Sequence, residues 1–165
     1  MLNKLVLAAV AVGFMGTSAM AADMMMAPPA PEAVMTSGWD GPYIGVDGSV
    51  FTGPGVQADV FAGVNMTVAE SFLIGGEGSI GVYNLLPGLG VEVTGALRGG
   101  FIASDSVLIY GKLGGAVDFG ASPGTRLFVG AGAEFKVSDN MAIRAEGTVD
   151  NGGILQATIG ALWHF

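Results

Sequence analysis

The sequence predicts an all-β fold: eight antiparallel strands in an up-and-down transmembrane β-barrel. Three observations carry this reading. The 165-residue chain is 51% hydrophobic and only 12% charged, about half the usual charged share. Beyond residue 21 no continuous apolar run reaches the roughly 20 residues that a spanning helix needs. From Trp39 onward, apolar and polar side chains alternate in stretch after stretch, the period-two pattern of strands with one wet and one dry face.

Residues 1–21 read as a secretory signal peptide. Lys4 gives a positive start, Leu5 to Met15 an apolar core, and Ala19 and Ala21 an A-x-A cleavage site. Cleavage after Ala22 is the near alternative. Cysteine is absent, which excludes a lipoprotein, disulfides and thiolate metal sites. Residues 22–38, ADMMMAPPAPEAVMTSG, carry three prolines within four residues and no periodicity, as a flexible linker does. The barrel domain is then 39–165. Removing Lys4 with the leader leaves five basic and fourteen acidic residues, a balance of −9. Nucleic acid, which needs a basic surface, is excluded as a partner.

Within 39–165 the alternation places strands near 42–51, 56–67, 72–83, 91–102, 107–118, 127–137, 141–149 and 154–165. Most are long enough for a tilted strand to cross a bilayer, about 9–11 residues. Two kinds of turn alternate between them. VAES, ASDS and SDN (68–71, 103–106, 138–140) form one set; TGPG, NLLPGLG, GASPGTR and DNGG, richer in glycine and proline, form the other. Such alternation fits a meander whose two ends differ.

Charges sharpen the assignment. Glu92 and Arg98, Lys112 and Asp118, Glu134 and Lys136, and Arg144 and Glu146 are each separated by an even number of residues, so each pair shares a face. The single charges Asp47, Asp59 and Glu77 also sit opposite apolar neighbours. A soluble periplasmic β-sandwich would turn these charged faces to water. Continuity of the apolar face over eight strands favours the inverse, with lipid outside and polar residues in the lumen. Closure of the last strand on the first would also leave no exposed edge. Gly95, Gly99 and Gly111 fall on the outward face, where they bend the sheet beneath aromatic neighbours. Trp39, Phe51, Phe72, Phe101, Phe119, Trp163 and Phe165 lie near strand ends, where rings prefer a membrane interface.

The stretch GWDGPYIGVDGS, with Trp39, Gly41, Tyr43 and Gly45 in a W-x-G-x-Y-x-G pattern, resembles the opening strand of the small outer-membrane β-barrel surface proteins of Gram-negative bacteria, a porin-like family. GAGAEF (130–135) and SDNMAIRAEG (138–147) are similar to that family's sixth strand and to its next turn and strand. The ending Trp163-His164-Phe165 looks like its terminal assembly signal. The resemblance implies an outer-membrane location, contact with outer-membrane lipids, and recognition of Trp163 and Phe165 by the barrel-assembly machinery. Gly147 departs from the pattern, standing where the family usually has an aromatic. The loops are also shorter than those members use for adhesion.

The eleven charged strand residues named above are expected to form a lumen network, since eight strands enclose little more than their own side chains. A packed, structural or surface-exposed barrel follows. Its alternatives are a narrow porin for small solutes or ions, and a binding protein using its short outer loops. Neither a cofactor nor a metal is expected. No enzyme is expected either, because the one histidine, His164, has no serine nearby in sequence. Gly76–Gly81 fits G-x-G-x-x-G but lies inside a strand pattern with no helix after it, so it is not a nucleotide loop.

Overall fold

The structure, a computed structural model, describes residues 38–53, 55–85, 88–120 and 123–165. The expected signal peptide and, but for Gly38, the linker lie outside them. Alternating side chains build eight strands: β1 (Gly41–Phe51), β2 (Gly55–Ala69), β3 (Phe72–Leu85), β4 (Gly88–Ser104), β5 (Val107–Gly120), β6 (Gly124–Lys136), β7 (Met141–Asp150) and β8 (Leu155–His164). Each pairs antiparallel with its neighbour in sequence, and β8 closes on β1 from Tyr43↔His164 to Phe51↔Gln156. No edge is left open.

All eight strands fall where the alternation puts them, but β4 and β6 each start three residues early, at Gly88 and Gly124. Glycine and proline there read as turn chemistry. In the barrel, Gly90 is a strand position that lets the Tyr83 ring lie against the backbone, where any Cβ would collide with it.

Partners can be followed once around the wall: Gly41↔Asn65↔Gly75↔Arg98↔Lys112↔Gly130↔Thr148↔Gln156↔Phe51. The path returns to β1 ten residues beyond its start (41 to 51). With about 3.3 Å per residue and about 4.8 Å between strands, that shear tilts the strands by about 41° and sets the wall about 8 Å from the axis.

The faces are inverted relative to a soluble domain. Ile44, Val60, Ile80, Leu97, Leu113 and Ile159 all project outward and are exposed. Among the described residues, no Asp, Glu, Lys or Arg faces outward from a strand. One end of the barrel carries the first and last strand ends and the turns at 70–71, 105–106 and 137–140, with Asp40, Glu70, Asp105 and Asp139. At the far end, the described residues 52–53, 55, 84–85, 88–90, 119–120, 123–125 and 151–154 contain no ionisable side chain. The last of these far turns is held by Asp150, whose Oδ1 accepts from the backbone N–H of Gly152 (2.8 Å) and Ile154 (2.9 Å). Gly153 completes it at φ +81°, a conformation that favours glycine.

Two aromatic placements differ from the expected girdle. Phe72, Phe101, Phe119, Trp163 and Phe165 do face outward, with the Phe72 and Phe101 rings edge to face at 5.3 Å. Trp39 instead is 1% exposed. Its turn folds across the mouth of the barrel, where Asn65 Nδ2 donates to its carbonyl (3.2 Å). Phe51 also turns inward, onto a lumen cavity. The outward Gly95 and Gly99 have nothing above them; the ring-covered glycines are inward, Gly45 under Phe61, Gly63 under Tyr43 and Gly132 under Tyr110. A lumen this narrow leaves a ring no room to point at the axis, so it lies flat across a neighbouring glycine.

Leu113 lies midway along β5 on the outward face, whereas Leu89 lies at the far rim. Leu113→Arg is expected to destabilise the barrel by about 2–4 kcal/mol and Leu89→Arg by about 0–1 kcal/mol. Equilibrium unfolding from phospholipid vesicles measures both.

Candidate functional site in the barrel lumen

Alternation along tilted strands turns every second side chain into the lumen, and the shear decides which ones meet. Three lumen pairs are like-charged neighbours in direct register: Asp47 with Asp59, Glu92 with Asp118, and Arg98 with Lys112. Like charges directly opposite destabilise a sheet. An opposite charge bridges two of the three pairs, Glu77 between Arg98 and Lys112 and Arg126 between Glu92 and Asp118.

Glu77 is the central one. Its Oε2 accepts from Tyr43 Oη (2.9 Å), Arg98 Nη1 (3.2 Å) and Arg144 Nη1 (2.8 Å), and its Oε1 lies 3.5 Å from Lys112 Nζ. One carboxylate thereby draws Arg98 and Lys112 together. Arg98 Nη2 reaches Glu134 at 2.7 Å, Lys112 reaches Glu146 at 2.6 Å, and Arg144 Nη2 reaches Asp47 at 2.5 Å. The guanidinium groups also stack on rings: Arg98 lies 4.0 Å from the Tyr110 centroid and Arg144 lies 3.6 Å from that of Phe61. Such contacts strengthen when desolvated.

Nearer the far end, Arg126 serves the second acidic pair. Its Nε lies 2.8 Å from Asp118 and its Nη1 lies 3.1 Å from Asp150, while Nη2 pairs with Glu92. Arg126 and Asp150 were expected in turns, yet they are lumen residues. Their signal was parity: Arg126 is an even number of residues from Glu134, and Asp150 from Arg144 and Glu146.

Ten of the eleven expected charges belong to the networks, or stand in register beside them in the case of Asp59. Lys136 does not join. It sits at the mouth on the termini side, where Nζ donates to the Gly38 carbonyl (2.6 Å) and lies 4.6 Å from the Trp39 ring centroid. Being the last residue of β6, it has the N-terminal turn in reach rather than the lumen acids.

The lumen has two halves. On the termini side, Trp39, Tyr43, Phe61, Leu73, Leu108, Tyr110, Ala142 and Leu162 form one buried cluster. His164 is packed into it, 5.6 Å from the Trp39 ring and 5.5 Å from that of Tyr43. Neither of its ring nitrogens has a hydrogen-bond partner among the described residues. The other half holds a polar cavity of about 50 Å³ that extends to Phe51 and Ile154 at the far rim. Its hydroxyls pair across strands, Ser49 with Thr158 (2.8 Å) and Ser79 with Thr94 (2.7 Å). A polar cup thus stands on an apolar floor.

No protein-family model and no curated protein matches the chain. Solved structures do. The N-terminal β-barrel domain of Pseudomonas aeruginosa OprF superposes with a TM-score of 0.57 at 16% identity, covering 76% of this chain and 98% of that one. Ail, the attachment invasion locus protein of Yersinia pestis, gives 0.54 at 15% identity, covering 76% and 97%. A de novo designed transmembrane β-barrel gives 0.54 at 20% identity, covering 76% and 96%. The fold is that of the small outer-membrane β-barrels. At these identities the likeness speaks for architecture alone, and the lumen must be read from its own residues.

Arg98 has no exposed side-chain surface and holds Glu134, which is equally enclosed. Arg98→Met leaves that carboxylate buried without its cation, and a loss of about 3–5 kcal/mol is expected. Adding Glu134→Gln should recover part of it. Denaturant unfolding of both single variants and the double variant supplies the coupling energy.

Proposed function

We propose that this chain is an outer-membrane barrel of a Gram-negative bacterium with a structural or surface-exposed role, exported by a cleaved leader over residues 1–21 and embedded in outer-membrane lipid. The observation that carries this reading is the closed floor. Trp39, Tyr43, Leu73, Leu108 and Leu162 fill the lumen on the termini side, and the Arg98–Glu77–Arg144 network lies against them. Ions crossing the barrel would have to displace both layers. The polar cup at the far end favours a narrow porin as the second reading, though the cup stops at that floor. Reconstitution in planar bilayers separates the two. The purified barrel is expected to leave the membrane electrically silent, and steady, reproducible openings would establish the porin instead.

Trp163 and Phe165 carry the second part of the proposal. Both rings are exposed, at 44% and 72%, and Phe165 N–H donates to the Pro42 carbonyl (3.1 Å) in the closed barrel. Before β8 meets β1 its edge is free to add to another strand. These two rings then lie on the outward face, where the barrel-assembly machinery would grip them. Deleting Phe165 is expected to lower the fraction of heat-modifiable, folded barrel in cell envelopes. Refolding of the same variant from urea into detergent should be nearly unchanged.

A further inference from the structure

The far-end cup is lined by six carboxylates and three basic side chains. Every lining carboxylate except one has a cation within 4 Å: Arg144 serves Asp47 and Glu77, Lys112 serves Glu77 and Glu146, and Arg126 serves Glu92 and Asp150. Asp59 is the exception among the described residues. Its Oδ1 accepts one hydrogen bond, from Gln57 Nε2 at 2.8 Å. Asp59 also stands in direct register with Asp47, so it meets a like charge where its neighbours meet a cation.

Gln57 supplies an independent observation. It lines the same cup, is 6% exposed, and its amide nitrogen is shared between Asp59 and Glu92 Oε1 (2.9 Å). That sharing fixes the orientation of the amide, because only the nitrogen can donate to two carboxylates. Its Oε1 is buried with no donor. A buried carbonyl without a partner and a carboxylate without a counter-charge are deficient in the same thing, positive charge or a donor.

We propose that this cup holds one small hard cation, an alkali ion or calcium, bound by Asp59 and the Gln57 carbonyl oxygen with Glu92 at its side. The donors are all oxygen, the set that hard cations take; thiolate and imidazole, which select zinc or copper, do not line the cup. No three His, Asp or Glu side chains among the described residues gather closely enough to hold an ion by themselves. Water and neutral oxygens therefore complete the shell. A cavity of about 50 Å³ has room for a small ion together with water.

The test uses the whole refolded barrel in detergent, dialysed into a buffer whose only cation is tetramethylammonium. Calcium, magnesium, sodium and potassium chlorides are titrated separately, with calorimetry and thermal unfolding as readouts. Saturable one-site binding of calcium or an alkali ion is expected, with a matching rise in unfolding temperature. Asp59→Asn should weaken it by about tenfold or more, in keeping with the loss of the one uncompensated ligand charge. Gln57→Leu is the second variant and should weaken it even if Asp59→Asn fails to fold. Asp139→Asn, on an exposed turn at the opposite end, should leave it unchanged. Absence of saturable binding by calcium, sodium and potassium alike overturns the proposal. So does equal binding by wild type and both cup variants, or an equal loss in Asp139→Asn, which would mark general screening of an acidic protein.

Discussion

A ring of eight strands sheared by ten residues sets a wall about 8 Å from its axis, and this radius governs what the interior can hold. Side chains from opposite strands meet near the middle, so a charge on β3 is answered from β5 and β7 as well as from the adjoining β4. Glu77 is where this happens most fully, with Arg98, Lys112 and Arg144 all within 3.5 Å. Enclosing an ion costs several kcal/mol unless partners and hydrogen bonds offset it. The barrel therefore has little freedom to change one lumen charge alone. The same narrowness presses Tyr43, Phe61, Tyr83 and Tyr110 flat over cross-strand glycines, which couples the glycine content of the wall to the aromatic content of the core.

Two lumen halves follow from where these groups fall. Rings and leucines gather at the end where the first and last strands meet, sealed by Trp39 and Lys136. Hydroxyls, amides and the surplus carboxylates gather at the other. Among the described residues the lumen on the termini side is filled by side chains of the wall itself, and Trp39, at the mouth, comes from the turn that leads into β1. Filling by the protein's own side chains and a polar cup are compatible because the two occupy different levels.

Strand number, strand faces and the inverted sense of the barrel were legible in the sequence because each depends on period-two order alone. Gly95 and Gly99 read as outward and Glu134 as enclosed from spacing, and the barrel places them so. Partnership was not legible. Glu134 stands in register with Arg144 yet pairs with Arg98, since pairing across the lumen depends on the shear, which no local pattern encodes. Arg126 and Asp150 were hidden by composition: glycine and proline beside them read as turn, although parity with Glu134 and with Arg144 was available. Trp39 carried no inward signal at all, because its burial comes from a fold-back across the mouth rather than from strand order.

The two rims differ in charge. Turns beside the termini carry Glu70, Asp105 and Asp139, while at the far end the nearest formal charges, Arg126 and Asp150, are paired with each other. Driving a hairpin tip through hydrocarbon is costly chiefly for ionised groups. The far rim is thus the end that can be pushed across a bilayer against the smaller barrier, with the acidic rim left behind on the side of entry. Threading the far hairpins first therefore meets the lower barrier, whatever machinery guides insertion.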